Sequence, residues 1–340
     1  MSVNGKGVVT AVGIGSAGIR IVSLLSRKSL LVDRYVYVSC DDSDFSTVER
    51  KDTIMIESPV DQKLTPAMAR GLALRSAGAL KQAVSHSRLV FVVAGLGGAT
   101  GSGVAPMVAS LAQESGATAV GVAVMPFEFE KRMMFYAGVS LRHLRESSNG
   151  VVVVDNDTLM LSSPEDSTLA NLYDSANKAA VKALGSLLSA GTPRPVGLNK
   201  LLGTVLQEGY SLLGVSSNGA KDKAEGALAG AVVSLGKLAE TKEASRAVVS
   251  LNCDATLSAQ EVGLAVDRLG SLMNNKDVDA DYGVDDSGSA QLQVGLLASG
   301  FRSTKYDAYD PLARVLGDRV VDGGMDAALP GGLEALQPCD

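Results

Sequence analysis

A chain of 340 residues is too long for one ordinary core, and at roughly 100–200 residues per domain its length predicts two domains. With 46% apolar and 20% charged residues it can bury a core, and a formal charge of -6 argues against a nucleic-acid partner, whose phosphates call for a basic surface. No run of about 18 apolar residues occurs, the start MSVNGKGVVT lacks a signal-peptide shape, and the scattered Cys40, Cys253 and Cys339 with only His86 and His143 indicate neither disulfides nor a zinc site. A soluble, cytoplasmic chain with no direct transmembrane segment is therefore expected.

In chain order, GVVTAVGIG predicts a strand ending in a tight glycine turn, and IRIVSLLSR a helix. YVYVSCDD predicts a strand ending in acids. TPAMARGLALRSAGALKQAVS predicts one long helix with Thr65 as N-cap and Pro66 at its first position. LVFVVAG is a fully apolar strand feeding a glycine-rich loop, Gly95–Gly103, and PMVASLAQES is the helix after it. TAVGVAVMP, FEKRMMFYAGVSLRHLRESS and NGVVVVDND continue as strand, helix and strand. Such alternation, with almost wholly apolar strands, predicts a parallel sheet covered on both faces.

After Asp157 the pattern changes. Residues 167–190 predict one long helix, stopped by GTPRP. A smaller mixed α/β unit follows, with a helix near 199–208, a strand at YSLLGVSS, a helix at 221–240, then AVVSLNCD, SAQEVGLAVDRLGSLM and QLQVGLLASGF. The expected division is 1–166, a central helix 167–190, a second domain 191–304 and a flexible tail 305–340.

In a doubly wound sheet, ligands bind beyond the carboxyl ends of the strands. Four predicted loops fall there: GIGSAG (13–18), SCDD (39–42), Gly95–Gly103 and DND (155–157). Glycines let backbone N–H groups turn toward an anion, and a helix N-terminus behind each loop adds partial positive charge. Two such loops could hold one polyphosphate jointly. No Walker loop is present. Gly13, Gly15 and Gly18 also fit the G-x-G-x-x-G turn of a nicotinamide site with Asp41 as its acid, although a dehydrogenase has no need of the second, denser glycine loop.

AGLGGATGSGVAP, residues 94–106, closely resembles the AGxGGGTGTGAAP signature of the tubulin/FtsZ superfamily, and the resemblance runs from about residue 8 to 301. GIGSAG is similar to the family's first phosphate loop, VSCDD to VNTDA, MPFEFEKR to KPFxFEGxxR, and VVVVDNDTLM to IVIPNDRLL. The resemblance implies a Rossmann-like α/β GTP-binding domain, a long central helix and a smaller mixed α/β domain. It implies GTP or GDP as ligand, with an accompanying Mg2+ allowed. The implied cradle is Gly15, Ser16, Ala17 and Gly18 with Gly97, Gly98, Ala99, Thr100, Gly101 and Ser102, the Thr100 and Ser102 hydroxyls as added donors. Glu130 matches the acid at the ribose. Arg132 matches the neighbouring arginine if one glycine is deleted, and Met134 takes that place otherwise. Asn156 falls in the DND loop and Asp41 in the acidic one. Asn177, with Tyr173 one turn earlier, fits the guanine-reading position or is a solvated helix residue. Arg20 replaces a polar amide and either pairs with the nucleotide or is solvated.

The departures from the family pattern bear on catalysis. In the family each subunit completes its neighbour's site with a loop NxDxxD. The matching stretch VGLNKLLGTVLQ (196–207) carries Gly197 for the asparagine, Asn199 for the first acid and Leu202 for the second. Neither can serve as a general base, whose loss typically removes about 10²–10⁴-fold of rate. VDQKLTP (60–66) replaces the γ-phosphate loop, with Lys63 as a phosphate contact. The expectation is an FtsZ-like protein that binds guanine nucleotide and assembles head-to-tail into filaments with weak or absent hydrolysis, in division, shape or membrane remodelling. Expected partners are its own copies, an active paralogue or a membrane adaptor. The alternatives are an active GTPase using a displaced acid such as Glu208, and a nucleotide-free scaffold.

Overall fold

The computed structural model describes residues 7–59, 63–160, 168–190, 193–218, 223–253, 258–286 and 292–311. The chain opens with β1 (Val8–Ile14), α1 (Gly15–Leu25), β2 (Arg34–Ser39) and the short β3 (Thr53–Met55). Then come α2 (Pro66–Ala73), α3 (Ala77–Val84), β4 (Ser87–Gly95), α4 (Ala99–Glu114), β5 (Thr118–Met125), α5 (Lys131–Glu146), β6 (Gly150–Asp155) and α6 (Asn156–Leu159). The central helix α7 (Leu169–Leu187) leads to β7 (Pro193–Arg194), α8 (Leu198–Val205), β8 (Tyr210–Asn218), α9 (Lys223–Gly236) and β9 (Arg246–Cys253). The described chain finishes with α10 (Ala259–Asp267), α11 (Leu269–Leu272), β10 (Asp279–Asp286), β11 (Leu292–Phe301) and a 3-10 turn, Lys305–Tyr309.

The strands form one α/β sheet in the order β3-β2-β1-β4-β5-β6-β8-β11-β9-β10-β7. From β3 to β8 every neighbouring pair is parallel; β11 then runs antiparallel to both β8 and β9. The apolar runs explain this burial on two faces. Val90, Val92 and Ala94 of β4 face one apolar layer, and Leu89, Phe91 and Val93 face the other. Helices α1, α7 and α8 cover the second layer, while α4, α5 and α9 cover the first.

Three features differ from the sequence expectation. The predicted helix from Thr65 is broken into α2, a 3-10 turn at Leu74–Ser76 and α3, although Thr65 does cap it, its hydroxyl accepting from Met68 N–H at 3.3 Å. Gly71 and Gly78 within this stretch weaken a continuous helix. The strands β3, β7 and β10 had no sequence signal, being short or rich in Asp, and exist because a neighbouring edge pairs with them. The segment from Lys305, expected to open the tail, is seated on the domain instead. Tyr306 is wholly buried, Asp310 accepts from Arg142 Nε at 2.6 Å, and a Cβ on Gly138 of α5 would lie 3.0 Å from the Tyr306 carbonyl oxygen. The rest of that predicted tail, 312–340, lies outside the described residues.

Candidate functional site

The strand order reverses between β1 and β4, since β1 leads outward to β2 and β4 leads the other way to β5. At such a switch point the loops after the two strands diverge and leave a crevice at their carboxyl ends. A cleft of about 610 Å³ opens there. Its floor is Gly15, Ser16 and Ala17 with Arg20 from α1, and Gly98, Ala99, Thr100 and Gly101 from α4. Asp41 and Asp44 border one side; Glu130, Met133, Asn156, Tyr173 and Asn177 border the other.

The glycine stretches are less loop than helix start. Helix α1 begins at Gly15 and α4 at Ala99, so more than half of each predicted loop belongs to the start of a helix. Neither N-terminus has a side-chain cap or an acid in its first turn. Their free N–H groups and the helix dipoles therefore point positive charge into the same crevice. The approach is close: a Cβ on Gly15, whose φ is +67°, would sit 3.3 Å from Gly101 N. A Cβ on Gly101 would lie 2.2 Å from the Gly95 carbonyl oxygen, and one on Gly18 would lie 2.3 Å from that of Val93. Gly98 has open space instead, facing the cleft.

Several expected residues do not line the cleft. Gly18 is spent on close approach of α1 to β4. Gly97, at φ +101°, lies against Met133, and its N–H donates to Ser102 Oγ at 2.8 Å, so the buried Ser102 hydroxyl braces the loop and does not face the cleft. Arg132 is exposed and Met134 is buried in the core; Met133 between them borders the cleft, because one helical residue turns the side chain by about 100°. Lys63 is exposed and away from the lining, and residues 60–62 lie outside those described. His86 and His143 take no part in it.

The far wall is tied together. Glu130 accepts from Phe127 N–H at 2.9 Å and from the Tyr173 hydroxyl, while Phe127 meets the Tyr173 ring edge-on with centroids 5.4 Å apart. Burial and the adjacent Glu130 carboxylate push the Tyr173 hydroxyl well above its ordinary pKa. Asn177, one turn on along α7, is buried to 8% exposure and borders the cleft. Burial shifts the Cys40 thiol upward.

Sequence reading missed Asp44. Its carboxylate accepts from Ser39 Oγ at 2.6 Å and borders the cleft with Ser16. Burial raises its pKa, opposed by Ser39 and Ser16, and Arg20 lies close enough to act on it. The signal was in the run SCDDSDF, where Asp41 caps the turn through Ser43 N–H and leaves Asp44 pointing back. Among the described residues no group of three or more His, Cys, Asp or Glu is set to hold a metal ion.

The stretch expected to serve a neighbour's site lies elsewhere. Val205, at the end of α8, puts its carbonyl against Gly150 at the amino end of β6, so α8 runs to the opposite end of the sheet from the cleft. Gly197, at φ +82°, is its N-cap. Asn199 is exposed, whereas Leu202 is a core residue at 3% exposure. Glu208 is exposed just before β8, beside Arg145 and Gln207, and also at the amino end.

Comparison with known proteins agrees with this geometry. Residues 8–163 match the model of the tubulin/FtsZ family, GTPase domain. The cell division protein FtsZ of Aquifex aeolicus is 29% identical over 234 residues, covering 66% of this chain and 64% of that protein. The FtsZ of Buchnera aphidicola subsp. Acyrthosiphon pisum is 27% identical over 226 residues, covering 64% of this chain and 59% of its own. The match thus spans about three fifths of these relatives' length. Among solved structures, an empty FtsZ dimer of M. jannaschii superposes with a TM-score of 0.76 at 23% identity, covering 88% of this chain and 89% of that one. A GTPgS-bound protofilament of CetZ2 from Haloferax volcanii gives 0.70 at 22%, covering 92% and 98%. The fold is thus that of the FtsZ and CetZ structures.

Proposed function

We infer that this chain, with a tubulin/FtsZ GTPase domain matched over residues 8–163 and the fold of that superfamily throughout, is a member of it that binds guanine nucleotide and assembles head-to-tail into filaments. One observation carries the ligand: two uncapped helix N-termini, those of α1 and α4, converge until a Cβ on Gly15 would lie 3.3 Å from Gly101 N. A polyphosphate is the group that uses both at once. Asn177 can offer a donor and an acceptor to a purine edge, and the Glu130–Tyr173 pair borders the space a ribose would fill. An Mg2+ ion would enter with the phosphates and supply charge neutralisation there. The Rossmann dinucleotide reading of Gly13, Gly15 and Gly18 gives way to the longer match.

The polymer reading is supported by the two ends of the sheet. The cleft opens at the carboxyl end, and α8 with Glu208 reaches the amino end, so one subunit cannot serve its own cleft with these residues. Stacking one end on the other is a heterologous contact that propagates without closing. Hydrolysis is weak in this reading, because Asn199 has no carboxylate and Leu202 points into the core. The exposed Glu208 at the same end favours a second reading, an active GTPase with a displaced acid. A cytoplasmic filament, with a paralogue or membrane adaptor as further partner, completes the proposal; among the described residues no helix is long and apolar enough to cross a membrane.

Two measurements test this. Nucleotide released by denaturing the purified chain should be GDP or GTP, and its absence together with no binding of added GDP removes the ligand reading. Negative-stain microscopy with GTP, GDP and no nucleotide should show filaments with nucleotide; single dispersed particles under all three conditions remove the polymer.

A further inference from the structure

Asp155 ends β6 wholly buried, yet both its carboxylate oxygens are engaged from a segment 150 residues away. Lys305 Nζ donates to Oδ2 at 2.9 Å, and the Tyr306 hydroxyl donates to Oδ1 at 2.7 Å. A buried carboxylate is tolerated only when paired in this way. Lys305 and Tyr306 do not reach the cleft, but Asp155 adjoins it on two sides. The next residue, Asn156, borders the cleft directly. Asp155 Oδ1 also accepts from Asp157 N–H at 3.3 Å, and Asp157 Oδ2 accepts from Glu128 N–H at 2.9 Å. Glu128 lies in the Phe127–Glu130 turn, whose Glu130 holds Tyr173. A continuous set of hydrogen bonds therefore runs from Lys305 and Tyr306 to the wall of the cleft that faces the glycine floor.

We propose that Lys305 and Tyr306 are positioning residues for the cleft. By keeping both Asp155 oxygens paired they set Asn156 and the Glu130–Tyr173 wall, so that ligand binds tightly only while the Thr304–Asp310 segment is seated. The proposal rests on the guanine-nucleotide reading above. The segment has its own anchors, Arg142 on Asp310 at 2.6 Å and Lys305 N–H on the Leu238 carbonyl at 2.8 Å, so it seats as a unit. Binding partners that pull it away would lower nucleotide affinity, and nucleotide would in turn hold it down, because such coupling is reciprocal.

The test uses the full chain with Tyr306→Phe, Lys305→Met and Lys305→Arg, titrated with fluorescent GDP and followed by amide hydrogen exchange. Tyr306→Phe should weaken GDP binding about fivefold or more, Lys305→Met should weaken it further, and Lys305→Arg should restore it. Exchange at the Asp157 and Glu128 amides should speed up in the first two variants, and GDP should slow exchange across residues 304–310 in the unmodified chain. Wild-type GDP affinity in folded Tyr306→Phe and Lys305→Met protein overturns the proposal. So does a loss of affinity that merely follows the unfolded fraction seen by circular dichroism. If Lys305→Met fails to fold, Tyr306→Phe decides, since it removes only one hydroxyl and leaves the ring in place. If the unmodified chain binds no GDP, the nucleotide reading fails separately, and unchanged exchange at Asp157 and Glu128 in Tyr306→Phe still overturns the positioning role.

Discussion

The carboxyl end of the sheet and its amino end are constrained very differently. At the cleft, Gly18 and Gly101 have backbone carbonyls 2.3 and 2.2 Å from where a Cβ would sit. At α8, Asn199 is exposed and faces no such limit. The glycines therefore serve the fold as well as any ligand, because α1 and α4 cannot approach the sheet without them. A surface residue on α8 serves at most another subunit. The difference teaches that the glycines at the cleft are fixed by packing, whereas an exposed residue on α8 is not. Leu202, one turn on from Asn199, is part of the apolar layer under the sheet.

The comparison breaks first at Gly101. Gly101→Val should destabilise the chain by about 3 kcal/mol or more, read as a fall in the thermal midpoint, because the Gly95 carbonyl cannot retreat from β4. Gly98→Ala, in open space, should leave the midpoint nearly unchanged and weaken only nucleotide binding. Equal losses of stability in both would mean that the two glycines do not divide this way.

At the other end, Leu202→Asp should cost roughly 3 kcal/mol or more by placing an unpaired carboxylate among apolar side chains, so it cannot act as a base for a neighbour. Asn199→Asp should leave the stability within about 0.5 kcal/mol of the parent. It should raise single-turnover GTP hydrolysis by about tenfold or more, a part of what a positioned base supplies. Unchanged turnover in Asn199→Asp, with a loss in Glu208→Gln, would move the chemistry to Glu208.

The smallest effect expected is at Asp44. Its folded pKa is raised by burial, so its protonation favours the folded chain below the usual carboxylate range, and that stability is lost as pH rises through the folded pKa. The charged form also repels a phosphate seated on Ser16. GDP affinity should fall modestly as pH rises through that range, and Asp44→Asn should flatten the profile. A slope that survives in Asp44→Asn would assign it to another group.

The parallel strands and the glycine stretches that floor the cleft were legible in the sequence, because apolar runs and glycine spacing are local signals, but the helices were expected from Ile19 and Pro106 and start at Gly15 and Ala99. Ser102 and Arg132 misled, since a motif gives position along the chain and not the direction in which a helical side chain points. Asp44 was unreadable as a cleft residue until the turn after Asp41 folded it back toward Ser16. The sequence by itself determined an α/β chain with two glycine-rich stretches after apolar strands, because alternating apolar runs and clustered glycines are local patterns. Tertiary structure alone decided that β6 pairs with β8 to continue one sheet, that Leu202 is core, and that Lys305 and Tyr306 reach Asp155. Each of these joins residues far apart in sequence, and no local pattern encodes such a contact before the sheet has formed.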